Sequence, residues 1–237
     1  MKNLKNKNKF NRGTIVLYGG EDHDLNKKVD GLLFKKLAKG KVIKKIAYLP
    51  PEGDGRGEFF RDFKRNFASK KRQVECFSEK KLKKDEERKK FFQSDIIYLG
   101  GGNTFSLLAL LRKLNLRKDL LAFVEKGGIL CGYSAGAIVL TPSIYTATIP
   151  SLEADENEVK LKNRRGLGLT NFEFTPHYLP SCKKSDEELK HYSLKRTPRT
   201  LVGCKDGEAI AIKGGRALFL GKKRIFHRGE KTLSKMP

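Results

Sequence analysis

"GGILCGYSAGAIVL", residues 127–140, decides the fold. Ile129, Leu130 and Cys131 form a short apolar run bounded by glycines, which reads as a strand buried on both faces. After Ser134, "AGAIVL" reads as a small-residue helix packed back on that strand. One serine therefore stands alone between a predicted strand and a predicted helix. Two explanations fit the flanking glycines, 132 and 136. Either they only let helix and sheet pack closely, or they present Ser134 on a sharp, strained turn with its hydroxyl above the sheet edge.

The same alternation extends towards the N-terminus. "TIVLYGG" (14–20), "KIAYLPP" (45–51), "QVECF" (73–77) and "SDIIYLGGG" (94–102) are predicted strands, several ending in glycine or proline. Between them lie helical patterns. "DLNKKVDGLLFKKLAKG" carries Leu25, Val29, Leu32, Leu33 and Leu37 at helical spacing, with Gly40 as a stop. "GEFFRDFKRNFASK" is amphipathic through Phe59, Phe60, Phe63 and Phe67, and 80–92 is a heavily charged helix. "NTFSLLALLRKLN" is apolar almost all round, with Asn103 as N-cap, and a further helix runs over about 117–126.

Strands alternating with helices predict an α/β fold, a doubly wound, mostly parallel sheet covered on both faces. From 171 onward the text changes: "FEFTPHY", "RTLVGC", "EAIAIK", "RALFLG" and "KRIFH" predict short, partly antiparallel strands that complete the sheet or build a second one. No Pro/Gly/Ser linker interrupts the chain. Residues 13–237 are therefore expected to form a single domain behind a basic, frayed tail, residues 1–12.

Composition narrows the function. The net charge is +24 over 237 residues. Such a field favours non-specific polyanion binding and speeds encounter with acidic small molecules. Stretches such as "SEKKLKKDEERKK" interleave acids with the lysines, as solvated helix faces do, and no RNA-binding signature or aromatic stacking platform appears. The four cysteines are scattered, with no C-x-x-C pair, so neither a disulfide framework nor a zinc site is expected. No signal peptide and no membrane span is read, and a cytoplasmic protein, monomer or homodimer, is expected. "GGGNTF" is neither G-x-G-x-x-G nor a P-loop, so no cofactor and no metal is implied.

A serine nucleophile needs a base. Of His23, His177, His191 and His227, the best placed is His177. It follows a predicted strand in "NFEFTPHYLP", where a parallel sheet presents its ligand-binding loops. Backbone N–H groups at the start of the helix after Ser134, Ala135 first, suit a developing oxyanion. The glycine turn "YLGGGNTF" offers a second donor from Gly101 or Gly102.

In order and spacing, "IIYLGGGNTFSLL", "CGYSAGAIVLTPSI" and "GLGLTNFEFTPHY" resemble the peptidase E (aspartyl dipeptidase) and cyanophycinase family. The likeness includes "IVLYGG", "IAYLPPEGD" and "DGEAIAIKGGRALFLG", and so covers most of the chain. The resemblance implies a sheet like that of class I glutamine amidotransferases and a serine peptidase acting on aspartyl or related small acidic peptides. It assigns Ser134 as nucleophile, His177 as base, and Ala135 with Gly101 and Gly102 as oxyanion hole. Asn103 and Arg165, with Arg164 beside it, are candidate substrate contacts.

Two positions depart from the family pattern. Ile149 stands where peptidase E carries its third catalytic group, an aspartate, and Thr175 where many relatives have an acid. The nearest acids are Glu153, Asp155, Glu156 and Glu158, and Asp155 is the assignment made for the third group. Two other readings stay open: a degenerate member that binds peptide or polyanion without cleavage, and an esterase of α/β-hydrolase type. Against the esterase, no H-G-G-G-type motif is present and the histidine follows the serine closely.

Overall fold

Five apolar runs become the parallel half of a seven-stranded sheet: β1 (Thr14–Tyr18), β2 (Lys45–Leu49), β3 (Gln73–Cys76), β4 (Ile96–Leu99) and β5 (Ile129–Tyr133). The chain is described here by a computed structural model that covers residues 12–37, 42–51, 57–196 and 199–234. Every residue of β1, β4 and β5 is buried, because helices cover both faces of the sheet. Side chains alternate along each strand, so two cores form. One face contributes Ile15, Leu17, Leu49, Leu99 and Leu130 to a core with Phe105 and Leu108. The opposite face sends Tyr18, Tyr48, Tyr98 and Tyr133 against Phe63 and Phe67.

The covering helices follow from the sequence, with local differences. Helix α1 (His23–Leu32) starts on Asp22, whose carboxylate accepts the Leu25 N–H, and runs on as a π-helical turn, Leu33–Leu37. Leu25 points to solvent, contrary to its expected place on the buried stripe, while Val29 and Leu33 are buried. The expected stop at Gly40 lies outside the described residues. Helix α2 (Glu58–Phe67) buries Phe63 and Phe67 and leaves Phe59 half exposed.

The single charged helix expected over 80–92 is two: α3 (Glu79–Leu82) and α4 (Asp85–Phe92). Asp85, Glu86 and Glu87 supply the negative charge that favours a fresh helix N-terminus at that point. Helices α5 (Thr104–Lys113) and α6 (Arg117–Glu125) precede β5, and the short α7 (Ala135–Val139) follows it.

The C-terminal strands do both things the sequence allowed. Strands β8 (Ala209–Lys213) and β9 (Arg216–Leu220) add antiparallel to the edge of β1, giving the order β3-β2-β4-β5-β1-β8-β9. Strands β6 (Glu173–Thr175), β7 (Leu201–Gly203), β10 (Lys223–His227) and β11 (Glu230–Ser234) form a second sheet in the order β11-β10-β7-β6. Within it β6 and β7 run parallel, joined by helix α8 (Lys183–Lys195). Strand β11 went unread in the sequence. The buried Arg224 of β10 pairs with Glu208, just ahead of β8, and so ties the two sheets together.

Candidate active site

Strands β4, β5 and β1 are neighbours, and their C-terminal ends bring three turns together: Gly100–Gly102, Ser134 and Gly19–Glu21. Ser134 sits at the tightest of them. Its backbone lies at φ 46° and ψ −111°, outside the regions that L-residues favour. Close packing on both sides enforces this. A Cβ on Gly136 would stand 2.3 Å from the Leu99 carbonyl oxygen, and one on Gly132 2.4 Å from the backbone of Gly136. Strand and helix thus approach more closely than any side chain permits, and the residue between them turns outward. Both explanations offered for the glycines hold at once.

His177 meets Ser134 from the second sheet. Its Nε2 lies 2.7 Å from Ser134 Oγ. The loop after β6 is pinned to the main sheet by the His177 N–H, which donates to the Gly19 carbonyl at 2.8 Å. His177 itself adopts a positive φ of 50°, a second strained position at the same edge.

The carboxylate that meets His177 is Asp206, a residue that sequence reasoning missed. Its Oδ1 lies 2.8 Å from His177 Nδ1. Strands β6 and β7 run parallel with Thr175 opposite Gly203, so the residues just beyond each strand emerge at one edge. His177 follows one strand and Asp206 the other. Gly20 makes room for them, since a Cβ there would stand 2.2 Å from the Asp206 carboxylate. The available signal was "VGCKDGE", an acid in a tight turn just after a predicted strand.

Asp155 is not bound to His177. Its Oδ2 accepts the Thr104 N–H at 2.9 Å, at the start of α5, and its own N–H donates to Ala147 O. It nonetheless lines the cavity of about 270 Å³ beside Ser134, together with Gly102, Ile138, Ile149 and Pro176.

Gly101 also departs from expectation. Its N–H donates to Glu21 Oε2 at 2.8 Å, while the Tyr48 hydroxyl binds the other oxygen of the same carboxylate. A donor already engaged by a carboxylate is a poor partner for an oxyanion. Gly102, at φ 79°, and Ala135, the first residue of α7, remain at the cavity and beside the hydroxyl.

Neither proposed substrate contact reaches the cavity. Asn103 caps α5, accepting from the Phe105 and Ser106 N–H groups at 3.0 Å, and its Nδ2 donates to Glu156 O. Arg165 pairs with Ser143 through the backbone and lines a separate cleft with Arg112 and Arg117. Arg164 stacks over Phe105 and Tyr145.

The other histidines lie elsewhere. The His23 ring packs edge-on against Phe63, Phe67 and Tyr133. Loss of water lowers its pKa from the usual histidine value, against the opposing pull of Asp62, Asp22 and Asp24. His191 lies on α8 and His227 on β10. Among the described residues no group of three or more His, Cys, Asp or Glu could hold a metal ion, and no helix is long and apolar enough to cross a membrane.

A strained serine between strand and helix, hydrogen-bonded to an imidazole that meets a carboxylate, defines a class: α/β proteins with a serine at a sharp strand-to-helix elbow. Within that class the chain belongs to peptidase family S51, whose family model matches residues 15–220. It is 31% identical over 147 residues to peptidase E of Streptomyces coelicolor, covering 58% of this chain and 57% of that protein. It is 37% identical over 127 residues to an uncharacterised peptidase of Listeria monocytogenes, covering 53% and 60%. The matches thus span about three fifths of these relatives' length. Among solved structures, a peptidase from an acI-B1 actinobacterium superposes with a TM-score of 0.63 at 20% identity, covering 95% of both chains. A candidate peptidase E protein from Listeria monocytogenes gives 0.65 at 22%, covering 87% of this chain and 97% of that one. These two likenesses bear on the fold.

Proposed function

We propose that this chain is a serine peptidase in which Ser134, His177 and Asp206 act together, cleaving amide bonds of short peptides as a dipeptidase or other exopeptidase. The carrying observation is the unbroken line of hydrogen bonds, 2.7 Å from Ser134 Oγ to His177 Nε2 and 2.8 Å from His177 Nδ1 to Asp206 Oδ1. Ser134 Oγ attacks the carbonyl carbon as His177 Nε2 takes its proton. The carbonyl electrons move onto oxygen, which meets the N–H groups of Gly102 and Ala135. Asp206 holds the imidazole in the tautomer with Nε2 free and stabilises the imidazolium. His177 then gives the proton to the leaving amine as the C–N bond breaks. Water, activated by the same imidazole, hydrolyses the acyl-serine.

The Asp206 carboxylate on His177 favours the catalytic reading over that of a degenerate member. The small cavity favours short substrates, since sites that enclose drug-sized ligands run to roughly 300–1,000 Å³. Aspartyl peptides are the substrate class that the family resemblance suggests, and they belong in the test panel beside neutral dipeptides. Wild-type protein is expected to release amino acids from one or more members of that panel. Ser134→Ala should lose at least about 10³-fold in kcat with its melting temperature unchanged. Equal turnover by the two proteins would end the proposal.

A further inference from the structure

The order β2-β4-β5-β1 places the strand that carries Ser134 between β4 and β1. From the turn after β1, the half-buried Glu21 reaches past the end of β5 to the turn after β4. There its Oε2 accepts the Gly101 N–H at 2.8 Å. Its Oε1 accepts the hydroxyl of Tyr48, which lies on β2. Tyr48 is fully buried and its ring stacks on Phe63 with centroids 4.4 Å apart, so that hydroxyl is a fixed point. One carboxylate thus joins three strand ends around the fourth. The fit is close. A Cβ on Gly101 would stand 2.8 Å from Glu21 Oε2 and 3.6 Å from Ser134 Cβ, and one on Gly100 would stand 2.8 Å from the Tyr48 hydroxyl. The turn that carries Glu21 also holds the histidine loop, since Gly19 O accepts the His177 N–H.

We infer that Glu21 is a positioning residue for the oxyanion hole. By taking the Gly101 N–H it fixes the Gly100–Gly102 turn against the end of β5 and leaves the next N–H, that of Gly102, for the oxygen of the tetrahedral intermediate. The inference rests on the proposed role of Ser134 and deepens it. Three glycines in a row can approach a substrate closely, but they lose the most conformational freedom when ordered. A brace from a neighbouring strand supplies that order, and hydrogen bonds to a carboxylate are roughly twice as strong as neutral ones. Donors fixed in advance favour the step in which charge develops on oxygen, not the binding that precedes it. Loosening the brace therefore acts on the chemical step.

The test is the phosphonylation rate of the full-length protein by a fluorophosphonate. Ser134 Oγ attacks phosphorus as His177 takes its proton, the O–P bond forms, and fluoride leaves. The phosphoryl oxygen gathers negative charge on the way. The saturating rate and the half-saturating probe concentration separate reaction from binding. Glu21→Ala is expected to lower the saturating rate about 10–100-fold with half-saturation unchanged, less than the roughly 10²–10³-fold lost when an oxyanion donor is deleted outright. Glu21→Gln keeps an oxygen for the Gly101 N–H and an amide for the Tyr48 hydroxyl, so it should restore the rate to within about threefold of the wild type. Tyr48→Phe removes the far anchor and should fall between the two. Thermal unfolding checks that each protein is folded at the assay temperature; were Glu21→Ala not folded, a wild-type rate in Tyr48→Phe would overturn the inference. An unchanged saturating rate in Glu21→Ala, a change confined to half-saturation, or equal losses in the alanine and glutamine variants also overturns it. An unlabelled wild type removes the proposed role of Ser134 along with the inference, whereas a labelled wild type with unaltered variants removes the inference alone.

Discussion

At the scale of single residues, two aspartates near one imidazole have different partners. Asp206 bonds His177 Nδ1, whereas Asp155 bonds a backbone N–H at the start of α5. Replacing the carboxylate behind a catalytic histidine costs about 10⁴-fold in kcat in a serine protease. Asp206→Asn is therefore expected to lower kcat by about 10³–10⁴-fold, while Asp155→Asn, at a residue not bonded to the imidazole, lowers it far less. Steady-state kinetics of both variants on one substrate checks this, and a kcat loss confined to Asp155→Asn would reverse the two roles. Ser134 and His177 were legible in the sequence because each stands at a recognisable punctuation, a strand ending at a turn. Asp206 was not, because its partner is set by the parallel pairing of β6 with β7 across an intervening helix. Proximity along the chain pointed to Asp155 and misled.

At the scale of elements, the nucleophile turn depends on how closely β5, α7 and β4 approach. Gly136 presses on the Leu99 and Gly100 carbonyls, where a Cβ would stand 2.3 and 2.8 Å from the two oxygens. Gly136→Ala must push α7 away from the sheet, at a cost of about 1–3 kcal/mol, and it shifts the hydroxyl as it does so. Gly31, in the last turn of α1 where the chain runs on into the π-helical turn, is the counterpart: nothing lies within 4 Å of its added Cβ. Gly31→Ala should raise stability by up to about 1 kcal/mol through helix propensity alone. Urea unfolding of both variants reads the contrast, and a neutral Gly136→Ala would show that the turn tolerates more room than the geometry allows. The buried strands were legible from their apolar runs. The break between α3 and α4 was not, because a run of mixed charges looks alike whether it is one helix or two.

At the scale of the whole molecule, His177 comes from one sheet and Ser134 from the other, so the site exists only while the sheets stay docked. The Arg224–Glu208 pair is one joint between them, both side chains almost fully buried. Glu208 also accepts the N–H groups of Lys205 and Lys222, at 3.2 and 3.1 Å, and so shapes the loop that carries Asp206. Arg224→Met strands that carboxylate in the interior and should cost about 3–5 kcal/mol. The double variant Arg224→Met/Glu208→Gln should recover much of the loss, as thermal unfolding would record; an unaltered melting temperature in the single variant would deny the pair this role. The doubly wound core was legible from strand–helix alternation. The division of the late strands between two sheets was not, since short runs such as "EAIAIK" and "KRIFH" carry no mark of which edge they join.

The central claim is that the Ser134 hydroxyl is activated by the imidazole it touches. Intact-protein mass spectrometry after treatment with a fluorophosphonate reads this directly. The account predicts a single adduct on Ser134, fast in the wild type and at least about 100-fold slower in His177→Ala. An unmodified wild-type Ser134, or labelling at the same rate without the histidine, would contradict it.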